Sequence, residues 1–162
     1  MKIGIVSDTH DHLSNLERAL QILKAEGVTT LLHCGDVCGP GILRALVDFD
    51  VRIAQGNMDR HPGLLQVAEE TLGRGGLARL HRFTLNGYAA AMLHGDDGER
   101  LGMLIASGEY AYVFHGHTHR RSERKVGRTQ VINPGALGGM RHEQRSFCIL
   151  DLATNETRFI RL

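Results

Sequence analysis

The chain has 162 residues, 42% of them hydrophobic, enough for one domain with a substantial core and too few for two ordinary ones, so residues 1–162 are expected to form a single domain. Lys plus Arg (19) balance Asp plus Glu (18) to a formal charge of +1, and 5 Phe, 3 Tyr and no Trp offer little stacking surface; both features argue against nucleic-acid processing and against a charge-driven membrane partner. No apolar stretch approaches the roughly 20 residues that span a bilayer, no signal-peptide pattern opens the chain, and three cysteines form no disulfide scaffold, so the expected location is cytoplasmic.

Residues 2–7 (KIGIVS) form an apolar run without polar alternation, the pattern of a strand buried on both faces at the centre of a sheet. Ser14 and Glu17 make a capping box for a helix reaching residue 26, with Leu13, Leu16, Leu20 and Leu23 on one face and Gly27 as its stop. The unit repeats as strand 29–33, loop 34–40, helix 41–48 and strand 51–55, and such alternation predicts an α/β protein with a mostly parallel sheet. A helix begins at Leu64 and is broken by the glycines of LGRGG, which leaves residues 62–79 partly open. HRFTL and YAAAML flank Asn86-Gly87, a strong hairpin signal. A helix over 99–107 and a buried strand over 111–115 follow. SERKV, TQVIN, SFCILDL and TRFIRL, separated by turn residues, then read as a strand meander.

Polar residues follow these strands in a regular way. Asp8-Thr9-His10 succeeds the first strand, Gly35-Asp36 the second, Gly56-Asn57 the third, His94-Gly95 the hairpin, and Gly116-His117-Thr118-His119 the strand at 111–115. Ligand sites of parallel sheets form at the strands' C-terminal edge, so these distant residues should converge. Two Asp, one Asn and four His, without sulfur, suit Mn, Fe, Zn, Ni or Co. Glycines beside them permit sharp turns and close backbone approach.

In that order, DTH, GD, GN, the His of LHG, and GHTH resemble the motifs of the calcineurin-like metallophosphoesterases, and the similarity to their small single-domain branch spans essentially the whole chain. That branch includes bacterial and archaeal phosphodiesterases and the retromer scaffold subunit. The resemblance implies a four-layer α-β-β-α sandwich of two packed mixed sheets. It also implies two divalent metal ions, manganese first: Asp8, His10 and His119 on one, Asn57, His94 and His117 on the other, and Asp36 bridging. The implied activity is hydrolysis of a phosphate ester, a diester in first place, by in-line attack of a metal-bridging hydroxide, with Asp36, Asn57 and His94 also counted as catalytic. The expected partner is a small phosphate ester or a nucleotide-like substrate; a homo-oligomer is left open. The alternative is a metal-binding scaffold or regulatory module without turnover, but a scaffold would tolerate loss of ligands and none of the seven is missing.

Two positions depart from the family pattern. Met58 stands where many members carry His and the small branch commonly Cys, so protonation of the leaving group falls to another residue or is not needed; Asp59, His61 and His115 are the substitutes in view, the plainer readings being that Asp59 caps a turn or fixes a ligand and that His61 is exposed. Asp96 replaces the second His of HGH, with orientation of His94 or another ligand as its expected role. Taken singly, several residues have plainer readings. His33 and His81 read as surface or satisfied core histidines, and Cys34 and Cys38 lack the spacing and number of a zinc site. Asn133-Pro134-Gly135 is either a turn or a lining of the site. The basic residues Arg120, Arg121, Arg124, Lys125 and Arg128 read first as a solvated strand face, with contact to an anionic substrate as the alternative.

Overall fold

A computed structural model describes all 162 residues, Met1–Leu162. Two mixed sheets dominate it. The first contains β1 (Lys2–Val6), β2 (Thr30–His33), β3 (Asp50–Ala54), β4 (Leu77–Ala78), β10 (Ser146–Asp151) and β11 (Glu156–Arg161), in the order β11-β10-β1-β2-β3-β4. The second contains β5 (Leu80–Leu85), β6 (Tyr88–Leu93), β7 (Tyr112–Phe114), β8 (Arg121–Val126) and β9 (Thr129–Pro134), in the order β5-β6-β7-β9-β8. Four helices, α1 (Leu13–Ala25), α2 (Pro40–Ala45), α3 (Leu64–Leu72) and α4 (Gly98–Ala106), connect them.

The two-residue period of the strands sorts the apolar side chains into layers. Ile3, Ile5, Leu32, Cys148 and Leu150 of the first sheet meet Ala90, Met92, Phe114 and Ile132 of the second in one buried cluster. Their sequence neighbours point the other way. Val6, Leu31, Ile53 and Ile149 pack with Leu16, Leu23, Ile42 and Leu64 of α1, α2 and α3. Ala91, Leu93, Val113 and Val131 pack with Leu104 and Ile105 of α4. The result is the expected α-β-β-α sandwich, and the apolar runs without alternation are explained by burial on both faces.

Three local expectations need correction. First, α1 starts at Leu13 with His12 as its N-cap, and the Ser14 hydroxyl lies 3.2 Å from His12 Nδ1 in place of making a capping box. Residues 8–11 are tied to the loop after β2 by Asp8 N→Gly35 O, His10 N→Asp36 O and Asp11 N→Val37 O, and this anchoring turns the chain into the helix early. Second, parallel pairing is confined to β1 through β4: β10 pairs antiparallel with β1 and β11 antiparallel with β10, so the first sheet is mixed, as the family resemblance implies. Third, the C-terminal strands form two hairpins and not one meander. β8 and β9 pair in the second sheet, whereas β10 and β11 pair in the first. Burying both Ile132 and Cys148 between the sheets requires that crossing. The open segment 62–79 resolves into α3 and the short edge strand β4. No helix is long and apolar enough to cross a membrane.

Candidate metal centre

Each of the seven expected ligands lies in a loop just after a strand: Asp8 and His10 after β1, Asp36 after β2, Asn57 after β3, His94 after β6, His117 and His119 after β7. Five of them hold positive backbone φ: Asp8 (52°), His10 (43°), Asp36 (56°), His117 (67°) and His119 (56°). Left-handed backbone is costly for residues with a Cβ and persists where surrounding contacts over-determine it. Here the cross-loop hydrogen bonds already named, with Gly138 N→Asp8 O (2.7 Å) and Gly116 N→His94 O (2.8 Å), supply that constraint. Gly56 shows how tight the packing is, since a Cβ there would lie 2.1 Å from Asp36 Oδ1.

The side chains gather in two groups that share one carboxylate. In the first, His119 Nε2 lies 3.2 Å from both Asp8 Oδ1 and His10 Nε2. In the second, His94 Nε2 lies 3.1 Å from Asn57 Oδ1, and the His117 ring stands edge-on to the His94 ring with centroids 5.1 Å apart. Asp36 Oδ2 is 3.5 Å from His10 Nε2 and 3.3 Å from His94 Nε2, so it faces both groups. Its other oxygen, Oδ1, is occupied by the Met58 N–H at 2.9 Å.

Hydrogen bonds behind the site set the histidine tautomers. His94 Nδ1 donates to Cys34 O (2.8 Å) and His119 Nδ1 donates to Met140 O (2.7 Å), which directs the Nε2 lone pair of each neutral ring into the site. Asp8 is treated likewise: Oδ2 accepts from Ser7 Oγ (2.6 Å) and His117 N (3.1 Å), whereas the buried Oδ1 has no hydrogen-bond partner. An orphaned buried carboxylate oxygen among imidazole lone pairs is electrostatically unfavourable unless a cation or protons enter. The charge balance agrees. Burial disfavours charge on His94, yet the hydrogen bond to Asp36 and the charges of Asp8 and Asp36 carry its pKa up to about 9. The Asp8 carboxylate beside it raises that of His119. This nitrogen and oxygen donor set fits divalent transition-metal ions.

Residues around the donors fall into clear tasks. Asp59 accepts from Gly56 N (2.7 Å), Cys38 N (2.8 Å) and Asp36 N (3.1 Å), and so holds the loops carrying Asp36 and Asn57 together. Asn133 Nδ2 donates to Gly116 O (2.8 Å) and Thr118 Oγ1 (3.0 Å), so the Asn-Pro-Gly turn pins the loop of His117 and His119. Sequence reasoning did not find Ser7, or Met140, whose carbonyl fixes His119; neither lies in a motif whose chemistry announces a role. Cys38 Sγ sits 3.5 Å from His10 Nδ1 and Cys34 is in the core, so neither belongs to the donor set.

Other expectations are corrected. Asp96 pairs with Arg79 (3.3 Å) and does not orient His94, whose Nδ1 is taken by Cys34 O. Asp59 is committed to three backbone N–H groups, His115 is buried against Gly116 O and Asn133, and the exposed His61 accepts from Gly63 N. Asp59 and His115 are therefore not free to act as proton donors over the site, whereas Nε2 of the exposed His61 has no partner. His33 and His81 are satisfied core histidines, bonded to Thr9 and Ile53. β8, with its basic run, is exposed along most of its length.

The calcineurin-like phosphoesterase superfamily domain matches residues 1–155. A phosphodiesterase of Methanocaldococcus jannaschii is 34% identical, over 99% of this chain and 98% of its own. A probable metallophosphoesterase of Methanothermobacter thermautotrophicus is 31% identical over 84% of this chain and 77% of its own. Among solved structures, an archaeal phosphodiesterase superposes with a TM-score of 0.91 at 33% identity over 100% of both chains. Vps29 of Entamoeba histolytica reaches 0.70 at 18% identity, covering 100% of this chain and 98% of that one, a likeness of fold. The chain belongs to the calcineurin-like phosphoesterase superfamily.

Proposed function

We propose that this protein is a phosphodiesterase whose two-metal centre is held by Asp8, His10, Asp36, Asn57, His94, His117 and His119. The observation that carries the reading is Asp36 Oδ2, which faces His10 on one side and His94 on the other while its partner oxygen is held by Met58 N–H. That is the position a bridging carboxylate needs. The phosphodiesterase relatives of similar length support the same reaction class.

Two divalent cations supply Lewis acidity toward the phosphoryl oxygens and bring the pKa of water near neutrality. The chain's own work is to hold the donors ready. Asp8, His10 and His119 form one donor set; Asn57, His94 and His117 form the other. The hydrogen bonds from His94 to Cys34 O and from His119 to Met140 O keep both rings in the donor tautomer. Manganese is the expected resident ion, with nickel, zinc, iron and cobalt compatible with the same donors. Met58 has no proton to give, and Asp59 and His115 are engaged by backbone groups. Esters with leaving groups that depart as stable anions are therefore favoured, and a small or nucleotide-like diester is the proposed substrate.

The test is turnover of bis(p-nitrophenyl) phosphate and p-nitrophenyl phosphate by metal-stripped protein, before and after addition of Mn, Ni, Zn or Mg, with bound metal counted. Diester turnover returning with about two ions per chain is expected from the two-metal mechanism. Two bound ions with no turnover of any ester would overturn the enzymatic reading. Asp36→Asn removes the bridging charge and should lower metal content and turnover together; full activity at unchanged metal content would overturn its role.

A further inference from the structure

Tyr88 and Tyr112 begin β6 and β7, so they stand at the end of the second sheet opposite His94 and the loop of His117 and His119. At ~3.3 Å per residue along β6, the two ends are separated by roughly 20 Å. At the tyrosine end lies a cavity of about 300 Å³ whose walls include Tyr88, Tyr112, Lys125, Arg128, Gln130 and Asn155, and no acidic residue. The volume lies at the small end of the range of ligand pockets.

Its floor is fixed and its two cations make no ion pair. Tyr112 is buried, stacks on Phe114 with centroids 6.0 Å apart, and donates its hydroxyl to Asn155 Oδ1 at 2.7 Å. Gln130 is held by Glu123 and Thr157. Tyr88 meets Tyr112 edge-on at 6.4 Å and is 56% exposed, which leaves ring surface available beside the cavity. Lys125 and Arg128 make no ion pair; Arg128 Nε donates to Gly108 O at 2.5 Å, and the nearest carboxylate, Glu123, is engaged by Gln130. Two cations without an ion pair in one concavity focus a positive field that the near-neutral chain does not have overall, and exposed aromatic surface favours a flat, apolar ring.

We propose that this cavity is a second binding site, distinct from the metal centre, for an aromatic phosphate the size of a nucleoside monophosphate. Lys125 and Arg128 meet the phosphate, and Tyr88 contacts the ring.

Adenosine 5′-monophosphate, adenosine and inorganic phosphate, each titrated into chelator-treated full-length protein and followed by calorimetry and amide NMR shifts, test the assignment. Without metal the first site turns nothing over, so the outcome is separate from that of the phosphodiesterase reading. Saturable binding of the nucleotide with shifts around Tyr88, Lys125 and Arg128 is expected. Lys125→Gln should weaken it roughly tenfold by removing a charge-assisted contact, and Tyr88→Ala should weaken it severalfold. Both side chains lie at the surface, and unchanged circular-dichroism melts would establish that the variants fold. Absence of saturable binding at millimolar nucleotide, or equal affinity in both variants, would overturn the site. Phosphate binding as tightly as the nucleotide would overturn its aromatic specificity.

Discussion

Asp59 belongs to neither donor group, yet three backbone N–H groups from two ligand-bearing loops converge on its carboxylate. Burial pushes its pKa upward while those N–H groups hold it down, so its charge is sustained by the contacts it organises. Asp59→Asn preserves size but cannot accept all three bonds, and should weaken metal binding by roughly 10- to 100-fold, as loss of a partner behind a ligand generally does; equilibrium metal titration against wild type checks this. His33 makes a different point. Its Nδ1 accepts from Gly35 N and its Nε2 faces Thr9 Oγ1, with the ring entirely buried, and burial depresses its pKa to about 4. The unfolded chain therefore binds a proton that the folded chain refuses between its ordinary value of 6.5 and about 4. Stability from this residue is complete above pH 6.5 and falls as pH drops toward 4, by about 3 kcal/mol in all. Urea unfolding of metal-free protein across that window should show a steeper loss in wild type than in His33→Gln. At this scale the sequence made donors legible, because Asp, Asn and His after strands are chemically conspicuous. Ser7 and the Met140 carbonyl were not, since their roles arise only from where neighbouring loops bring them.

The ends of α1 show which local signals survive in the tertiary structure. Gly27, with φ 73°, allows Gly27 N→Lys24 O and Val28 N→Leu23 O, the paired bonds of a Schellman stop, as its position after the helix predicted. Nothing lies within 4 Å of where its Cβ would be, so Gly27→Ala should cost only the left-handed backbone penalty, about 1 kcal/mol. A fall in Tm without loss of turnover is the expected outcome. At the N-terminus the Ser14–Glu17 pattern lost to the loop anchored on residues 35–37, because three backbone bonds across loops outweigh one side-chain cap. The Asn86-Gly87 hairpin was fully legible, both residues taking positive φ of 48° and 84°. Residues 62–79 were not, because β4 is two residues long and exists only through its pairing with β3.

Across the whole molecule, the donor loops come from both sheets: Asp8, Asp36 and Asn57 from the first, His94, His117 and His119 from the second. Metal binding at the proposed centre would tie the two halves of the sandwich together and favour the folded state. At an ion concentration 100 times the dissociation constant the gain is about 2.7 kcal/mol, equivalent to roughly 5 to 10 °C in a chain this size. Thermal melts with manganese and with chelator should differ by that order, and Asp36→Asn should show a smaller difference. The sequence by itself determined the α/β character and most element positions and marked the candidate donor residues, because burial on both strand faces, turn residues and ligand chemistry are local properties. Resemblance to a family, and not periodicity, supplied the two-sheet architecture. Only the tertiary structure decided the partition of the C-terminal strands, the idle place of Asp96 and the shared facing of Asp36, since each depends on which segments pack together, and packing joins residues whose separation in the chain carries no signal.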